Sequence, residues 1–199
     1  MNPVNLDQAY WENRYQQQDT VWDLKQVSPP LKFYINQLKN KDLRILIPGC
    51  GNAHEAAYLL ERGFTNITLI DIAPTMVDAL KQQFKAHPAI KVVLGDFFEL
   101  PFEQQGMYDL ILEQTFFCAL NPILRPTYVE KMHQLLVSNG KLVGVLFQVF
   151  FEKNPPFGGS KQEYRPLFEP FFQIKILENC ENSYIKRQGS ELFMILQKG

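Results

Sequence analysis

The sequence has almost no net charge, few cysteines and no long apolar run, and each shortage excludes a class of protein. Twenty lysines and arginines against 21 acids leave a formal charge of −1. No basic surface is therefore on offer to a nucleic acid. Three cysteines (Cys50, Cys118 and Cys180) are an odd number in a chain large enough to need no disulfides. A reducing, cytoplasmic setting is expected. The opening Met-Asn-Pro-Val-Asn-Leu-Asp has neither the basic nor the apolar region of a secretory leader. The run Leu142 to Phe151 is broken by Gln148 and is too short to cross a bilayer, so no membrane partner is expected. His54, His87 and His133 are scattered without ligand spacing, so no metal is expected. No Gly-x-Ser-x-Gly elbow marks a hydrolase, and no repeat or low-complexity linker divides the chain.

What is present is enough for one well-filled core: 199 residues, 46% of them hydrophobic. The stretch Leu43 to Gly51 organises the rest. Its branched apolar half suits a strand buried on both faces, and it stops at Pro48, Gly49 and Gly51. Ala53, Ala56, Ala57 and Leu60 then repeat at helical spacing up to Gly63. A strand, a glycine turn and a helix let backbone N–H groups approach a nucleotide-like ligand.

Further strands are expected at Ile67–Asp71, Ile90–Leu94, Tyr108–Leu112, Lys141–Val149, Phe172–Glu178 and Leu192–Gln197. Helices are expected over residues 5–18, from Ser28-Pro29 to Leu38, from Pro74, over Pro126–Val137 and near Glu163–Phe168. The alternation predicts a single-domain α/β fold with a seven-stranded, mostly parallel sheet and helices on both faces. Parallel neighbours need a crossover, usually helical, whereas residues 179–190 are polar and carry Gly189, so the last two strands are expected to form an antiparallel hairpin. Proteins that use S-adenosylmethionine typically close this way, whereas dehydrogenases continue with parallel strands.

Asp71 ends the second strand about 20 residues past the glycine turn, where an acid accepts both hydroxyls of a ribose. The alternative is a cap for the helix at Pro74, but the glycine turn at the right distance favours the ribose. A dehydrogenase fits poorly, because Gly49-x-Gly51 is followed by Asn52, Ala53 and His54 and not by a third glycine. Asp96 and Phe97 could hold an adenine, or cap a turn over a core ring. Glu113 and Gln114 could hold the amino-acid end of a cofactor, or face solvent. Asn154-Pro155-Pro156-Phe157 matches the grip of base-flipping enzymes. It stands after the fifth strand instead of the fourth, and is read as chance.

Tyr-Trp-Glu-Asn-Arg-Tyr, Thr20-Val-Trp22-Asp23 and Ile-Pro-Gly-Cys-Gly resemble the opening of the thiopurine and thiol/halide methyltransferases. The resemblance continues through Ile70-Asp71-Ile72, Gly95-Asp96-Phe97 and Tyr108 to Leu120, and reaches Arg125 and the Pro-Pro-Phe loop. Phe116-Phe117-Cys118-Ala119 looks closer to the plant-type thiol and halide branch. It implies a class I, Rossmann-like domain over 1–199, with lid helices in 1–40 and the core in 41–199. The implied cofactor is S-adenosylmethionine, leaving as S-adenosylhomocysteine. Its implied contacts are Trp11, Tyr15, Trp22, Gly49, Gly51, Asp71, Asp96, Phe97, Glu113 and Gln114. Tyr15 replaces a common tryptophan, and Gln114 an arginine of the thiopurine branch. Phe117 and Arg125 are the implied substrate contacts. No catalytic residue is implied, because a soft nucleophile needs alignment and loss of water more than a base. An O- or N-methyltransferase of a small metabolite, or a non-catalytic cofactor binder, stays open. A monomer acting on a small molecule is the simpler expectation.

Overall fold

The computed structural model describes residues 5–100 and 106–199. Residues 1–4, part of the stretch read for a leader, lie outside the described residues, as do 101–105. Seven strands form one sheet: β1 (Ile45–Pro48), β2 (Ile67–Asp71), β3 (Ile90–Leu94), β4 (Tyr108–Gln114), β5 (Leu136–Phe147), β6 (Phe172–Asn179) and β7 (Glu191–Lys198), in the order β3-β2-β1-β4-β5-β7-β6. β1 to β5 pair in parallel, and β7 runs against both β5 and β6, the expected terminal hairpin. The chain reverses direction across the sheet at β1, so the loops after β1, β2 and β4 open a crevice at the strands' C-terminal ends.

Strand periodicity sorts the core into two layers. Leu46, Ile111 and Leu142 face one layer; Ile45, Ile47, Leu110, Leu112 and Val143 face the other. The first layer is closed by α5 (Arg125–Leu135) through Tyr128, Val129 and Met132, and by α6 (Lys161–Phe168) through Tyr164 and Phe168. The second is closed by α2 (Pro29–Gln37), α3 (His54–Glu61) and α4 (Pro74–Gln83) through Leu31, Ile35, Leu59, Met76 and Leu80. Helix α1 (Gln8–Gln16) has no fully buried residue; its Trp11 and Tyr15 pack, partly buried, against the second layer, and it lies above the strand ends.

Several boundaries differ from the sequence expectation. Helix α1 is shorter than 5–18 because Asp7 caps it, accepting from the Tyr10 N–H at 3.0 Å. Ala53 is not in α3; it caps it at φ 51°, and the inner stripe is Glu55, Ala56 and Leu59, with Ala57 and Leu60 only partly buried. Helix α5 ends at Leu135, two residues early, and β5 begins at once. Asn139 at φ 64° and Gly140 then form an irregularity that resets the pairing from Tyr108↔Leu136 to Leu110↔Lys141.

Candidate functional site

A cavity of about 580 Å³ opens at the crevice. Its floor is the turn after β1, where Gly49, Gly51 and Ala53 all have positive φ (55°, 48° and 51°). A Cβ on Gly49 would lie 2.3 Å from Cδ2 of Phe116, so only glycine admits that ring. A Cβ on Gly51 would meet the Tyr15 hydroxyl at 3.2 Å.

Asp71 is 5% exposed and joins two elements at the cavity edge. Its Oδ2 accepts from the Gly51 N–H and its Oδ1 from the Ala73 N–H, each at 3.0 Å. Burial raises its pKa, and these backbone bonds pull against the rise. The capping reading of Asp71 and its reach to the glycine turn are thus both present. Asp96 behaves similarly: its Oδ1 accepts from the Phe98 N–H at 2.8 Å, capping a 3-10 turn, while Phe97 is buried. Both still line the cavity.

The roof is aromatic. Trp22 packs edge-on to Trp11 at 5.6 Å and to Tyr15 at 5.8 Å, and the Arg14 guanidinium lies 4.8 Å from its ring centre. Burial, with Asp71 nearby, pushes the Tyr15 phenol far up, so it stays neutral. Long-range bonds strap this roof down. Gln8 Nε2 donates to the Ile72 carbonyl at 2.9 Å, and Glu12 accepts from the N–H and hydroxyl of Thr75. Asp23 accepts from Asn52 Nδ2 at 2.7 Å and sits 2.7 Å from His54 Nε2. Arg187 Nη2 donates to the Trp22 carbonyl at 2.7 Å.

The structure brings together Trp11, Tyr15, Trp22, Gly49, Gly51, Asp71, Asp96, Phe97 and Gln114 around one cavity. Three sequence-selected residues are elsewhere. Phe117 is 1% exposed and packs on Tyr128, Tyr164 and Phe168; its neighbour Phe116 takes the cavity wall. Glu113 is fully buried behind that wall and accepts from the N–H groups of Phe116 and Phe117 and from the Tyr128 hydroxyl. Arg125 neither lines the cavity nor meets a carboxylate among the described residues. Its Nη2 donates to the Phe157 and Gly158 carbonyls, and its guanidinium lies 4.7 Å from the Phe117 ring centre. Asp23, His54 and Arg187 line the cavity without having been selected from the sequence. So do Pro155 and Pro156, which gives the proline pair dismissed as chance a place in the wall.

A solved structure of this shape is the 1,6-didemethyltoxoflavin-N1-methyltransferase of Burkholderia thailandensis with bound 1,6-didemethyltoxoflavin and S-adenosylhomocysteine. It matches with a TM-score of 0.80 at 18% identity, over 100% of this chain and 92% of that one. The strand order, the reversed β7 and the glycine turn define a class I methyltransferase fold, and the chain is an S-adenosylmethionine-dependent methyltransferase. More narrowly, it belongs to the thiopurine S-methyltransferase family, whose model matches residues 6–194. The probable thiol methyltransferase 2 of Arabidopsis thaliana is 29% identical over 91% of this chain and 81% of its own length. The thiopurine S-methyltransferase of Acinetobacter baylyi is 24% identical over 87% of this chain and 88% of its own.

Proposed function

We propose that the chain methylates a small thiol, with a thiopurine or an anion of halide type as neighbouring chemistry, and that its cofactor seat is the β1–β2–β3 side of the cavity. The residues there fit S-adenosylmethionine on two counts. The glycine turn leaves its N–H groups and a Cβ-free surface at the floor, next to a buried carboxylate. Gln114 Oε1 is a buried acceptor with no partner among the described residues, and a cofactor ammonium would satisfy it. Asp71 holds the ribose hydroxyls through the carboxylate lone pairs left free, and Asp96 and Phe97 flank the adenine. Gly49, Gly51 and Gln114 take the amino-acid end. Trp11, Tyr15 and Trp22 close over it, as a lid drawn from residues 1–40.

Bound there, the cofactor supplies a methyl group on a cationic sulfur. The protein's part is to align the acceptor and exclude water. The acceptor end is set by topology: the loops after β4 and β5 and before β7 lie across β1 from the nucleoside seat. Phe116, Leu120, Phe147, Val149, Phe151, Pro155 and Pro156 make it apolar. Asp23 and His54 line the same cavity but are paired with each other at 2.7 Å beside Trp22, and the apolar wall suits a nucleophile that needs no general base. Alignment is worth roughly 7–11 kcal/mol, against the 10²–10⁴-fold or so of one base. Aromatic faces near the sulfonium add about 0.5–2 kcal/mol. Lys186 brings positive charge to this end, favouring an anionic acceptor such as a thiolate, while Arg187 is engaged with Glu191 at 3.4 Å and with the Trp22 carbonyl.

The observation that carries this reading is that the glycine turn, the β2 acid and the apolar acceptor wall share one cavity. Calorimetry with S-adenosylhomocysteine, followed by methyl transfer from labelled cofactor to benzenethiol, thiocyanate, a catechol and a primary amine, tests it. Turnover on the first two supports it; turnover confined to the catechol or amine overturns the acceptor assignment. Among the described residues no helix is long and apolar enough to cross a membrane. A cytoplasmic enzyme handling a small molecule, without nucleic acid, completes the proposal.

A further inference from the structure

Glu113 is the one sequence-selected acid that the cavity leaves out, and its surroundings give it a different task. It is 0% exposed, near the end of β4. One carboxylate oxygen, Oε1, accepts from the Phe116 N–H at 2.8 Å and the Phe117 N–H at 2.9 Å; the other, Oε2, accepts from the Tyr128 hydroxyl at 2.6 Å. Behind it β5 presents Gly144, where a Cβ would lie 2.4 Å from the Glu113 Cβ. The space holds the carboxylate in one place.

Between Glu113 and the groups it binds lies Thr115, at φ 60°. A β-branched residue in the left-handed region is strained, and such strain persists only where the surroundings over-determine it. The carboxylate supplies two of the bonds that do so, and the Thr115 carbonyl takes a third from the Cys118 thiol at 3.3 Å. The strained turn ends at Phe116, whose ring presses on Gly49. Gln114, Thr115 and Phe116 all line the cavity, at the junction of the β1 and β4 loops.

We infer that Glu113 is a positioning residue whose carboxylate clamps the Thr115–Phe117 turn and so holds Phe116 and Gln114 at the boundary between cofactor and acceptor. It touches neither ligand and acts through the two residues it fixes. The titratable groups facing it are Tyr128 from α5 and Cys118 from the turn, and β5 offers only the side-chain-free Gly144. Burial raises the Glu113 carboxyl to about 7, against the pull of Tyr128 and the two N–H groups. The clamp does not depend on charge as such: a glutamine keeps an oxygen for the two N–H groups and can donate to the Tyr128 oxygen.

The assignment rests on the cofactor seat proposed above, so the test reads the seat and the clamp separately. S-adenosylhomocysteine affinity is measured by calorimetry, and kcat and KM with benzenethiol, for wild type, Glu113→Ala, Glu113→Gln and Glu113→Ala/Thr115→Gly. Hydrogen exchange of the Phe116 and Phe117 amides is followed in each. Glu113→Ala should expose both amides, weaken S-adenosylhomocysteine by about tenfold or more and lower kcat/KM at least as much. Glu113→Gln should recover most of the loss. The added Thr115→Gly should recover part, because glycine takes φ 60° without restraint. Wild type that binds no S-adenosylhomocysteine would refute the seat, and amide protection would still decide the clamp. Amides still protected in Glu113→Ala, or wild-type affinity and kcat/KM in its folded fraction, would overturn the clamp. If Glu113→Ala does not fold, Tyr128→Phe takes its place: faster exchange at both amides and severalfold weaker binding support the clamp, and no change in either refutes it.

Discussion

Gly49→Ala probes the closest contact in the site and has a cost that can be worked out in two parts. The first is backbone: φ is 55°, and an alanine there costs about 1–2 kcal/mol. The second is crowding. The new methyl would lie 2.3 Å from Phe116 Cδ2 and 2.7 Å from Cγ, well inside contact, in a wall that cannot give without moving the turn. Overpacking of this kind costs about 1–3 kcal/mol. Together the single substitution should cost about 2–5 kcal/mol in urea denaturation. Phe116→Ala removes both clashing atoms and leaves only the Cβ contact at 3.1 Å. In the double mutant the crowding part should vanish and the backbone part remain, a coupling of about 1–3 kcal/mol. S-adenosylhomocysteine affinity should also fall in Gly49→Ala, because the ring moves toward the cofactor seat. If the two substitutions add within about 0.5 kcal/mol, the ring does not press on Gly49 and the geometry assigned to the wall is wrong.

The remaining predictions concern the charged groups. Glu113 titrates at about 7 in the folded protein against an ordinary 4.5, so the stability tied to its proton is full below about pH 4.5 and is lost as pH rises through 7. Glu113→Gln lacks that loss. Its stability relative to wild type should therefore rise between pH 5 and pH 8, toward about 3 kcal/mol, and an unchanged gap in urea titrations at the two pH values would contradict the burial argument. Asp71→Ala should weaken S-adenosylhomocysteine by about 1–3 kcal/mol in calorimetry, since ribose hydroxyls and two backbone N–H groups lose an acceptor; wild-type affinity would falsify the ribose assignment. Asp23→Ala removes the acceptor shared by Asn52 and His54 and should raise protease sensitivity around Trp22; an unchanged digestion pattern would show that other bonds hold the roof.

What could be read from the sequence was local. β1 announces itself by an unbroken apolar run, and the glycine turn and Asp71 stand at a spacing set by one helix between two strands. Trp11, Tyr15 and Trp22 came from the resemblance of the opening residues to the methyltransferase family, and the structure puts all three on the cavity. What could not be read depends on contacts between distant residues. Arg125 is held by carbonyls 32 and 33 residues downstream, and nothing near it in sequence foretells that. The choice between Phe116 and Phe117 turns on the left-handed Thr115, which reverses which ring faces the cavity; a β-branched residue gives no warning of such a φ. Glu113 was read as a ligand contact because an acid at a strand end usually faces the crevice. Its burial needs the Tyr128 hydroxyl and the space over Gly144, and only the fold supplies both. Asp23, His54 and Arg187 were not selected as site residues for the same reason, their partners lying 29 to 165 residues away.

The central claim is that one adenosyl group lies between the turn after β1 and the carboxylate ending β2. A crystal structure of the complex with S-adenosylhomocysteine tests it most directly. The account predicts ribose hydroxyls within hydrogen-bond distance of Asp71, adenine against Phe97 and Asp96, and the amino-acid end reaching Gln114 under Trp22. A nucleoside bound elsewhere, or an Asp71 carboxylate still engaged only with Gly51 and Ala73, would contradict it.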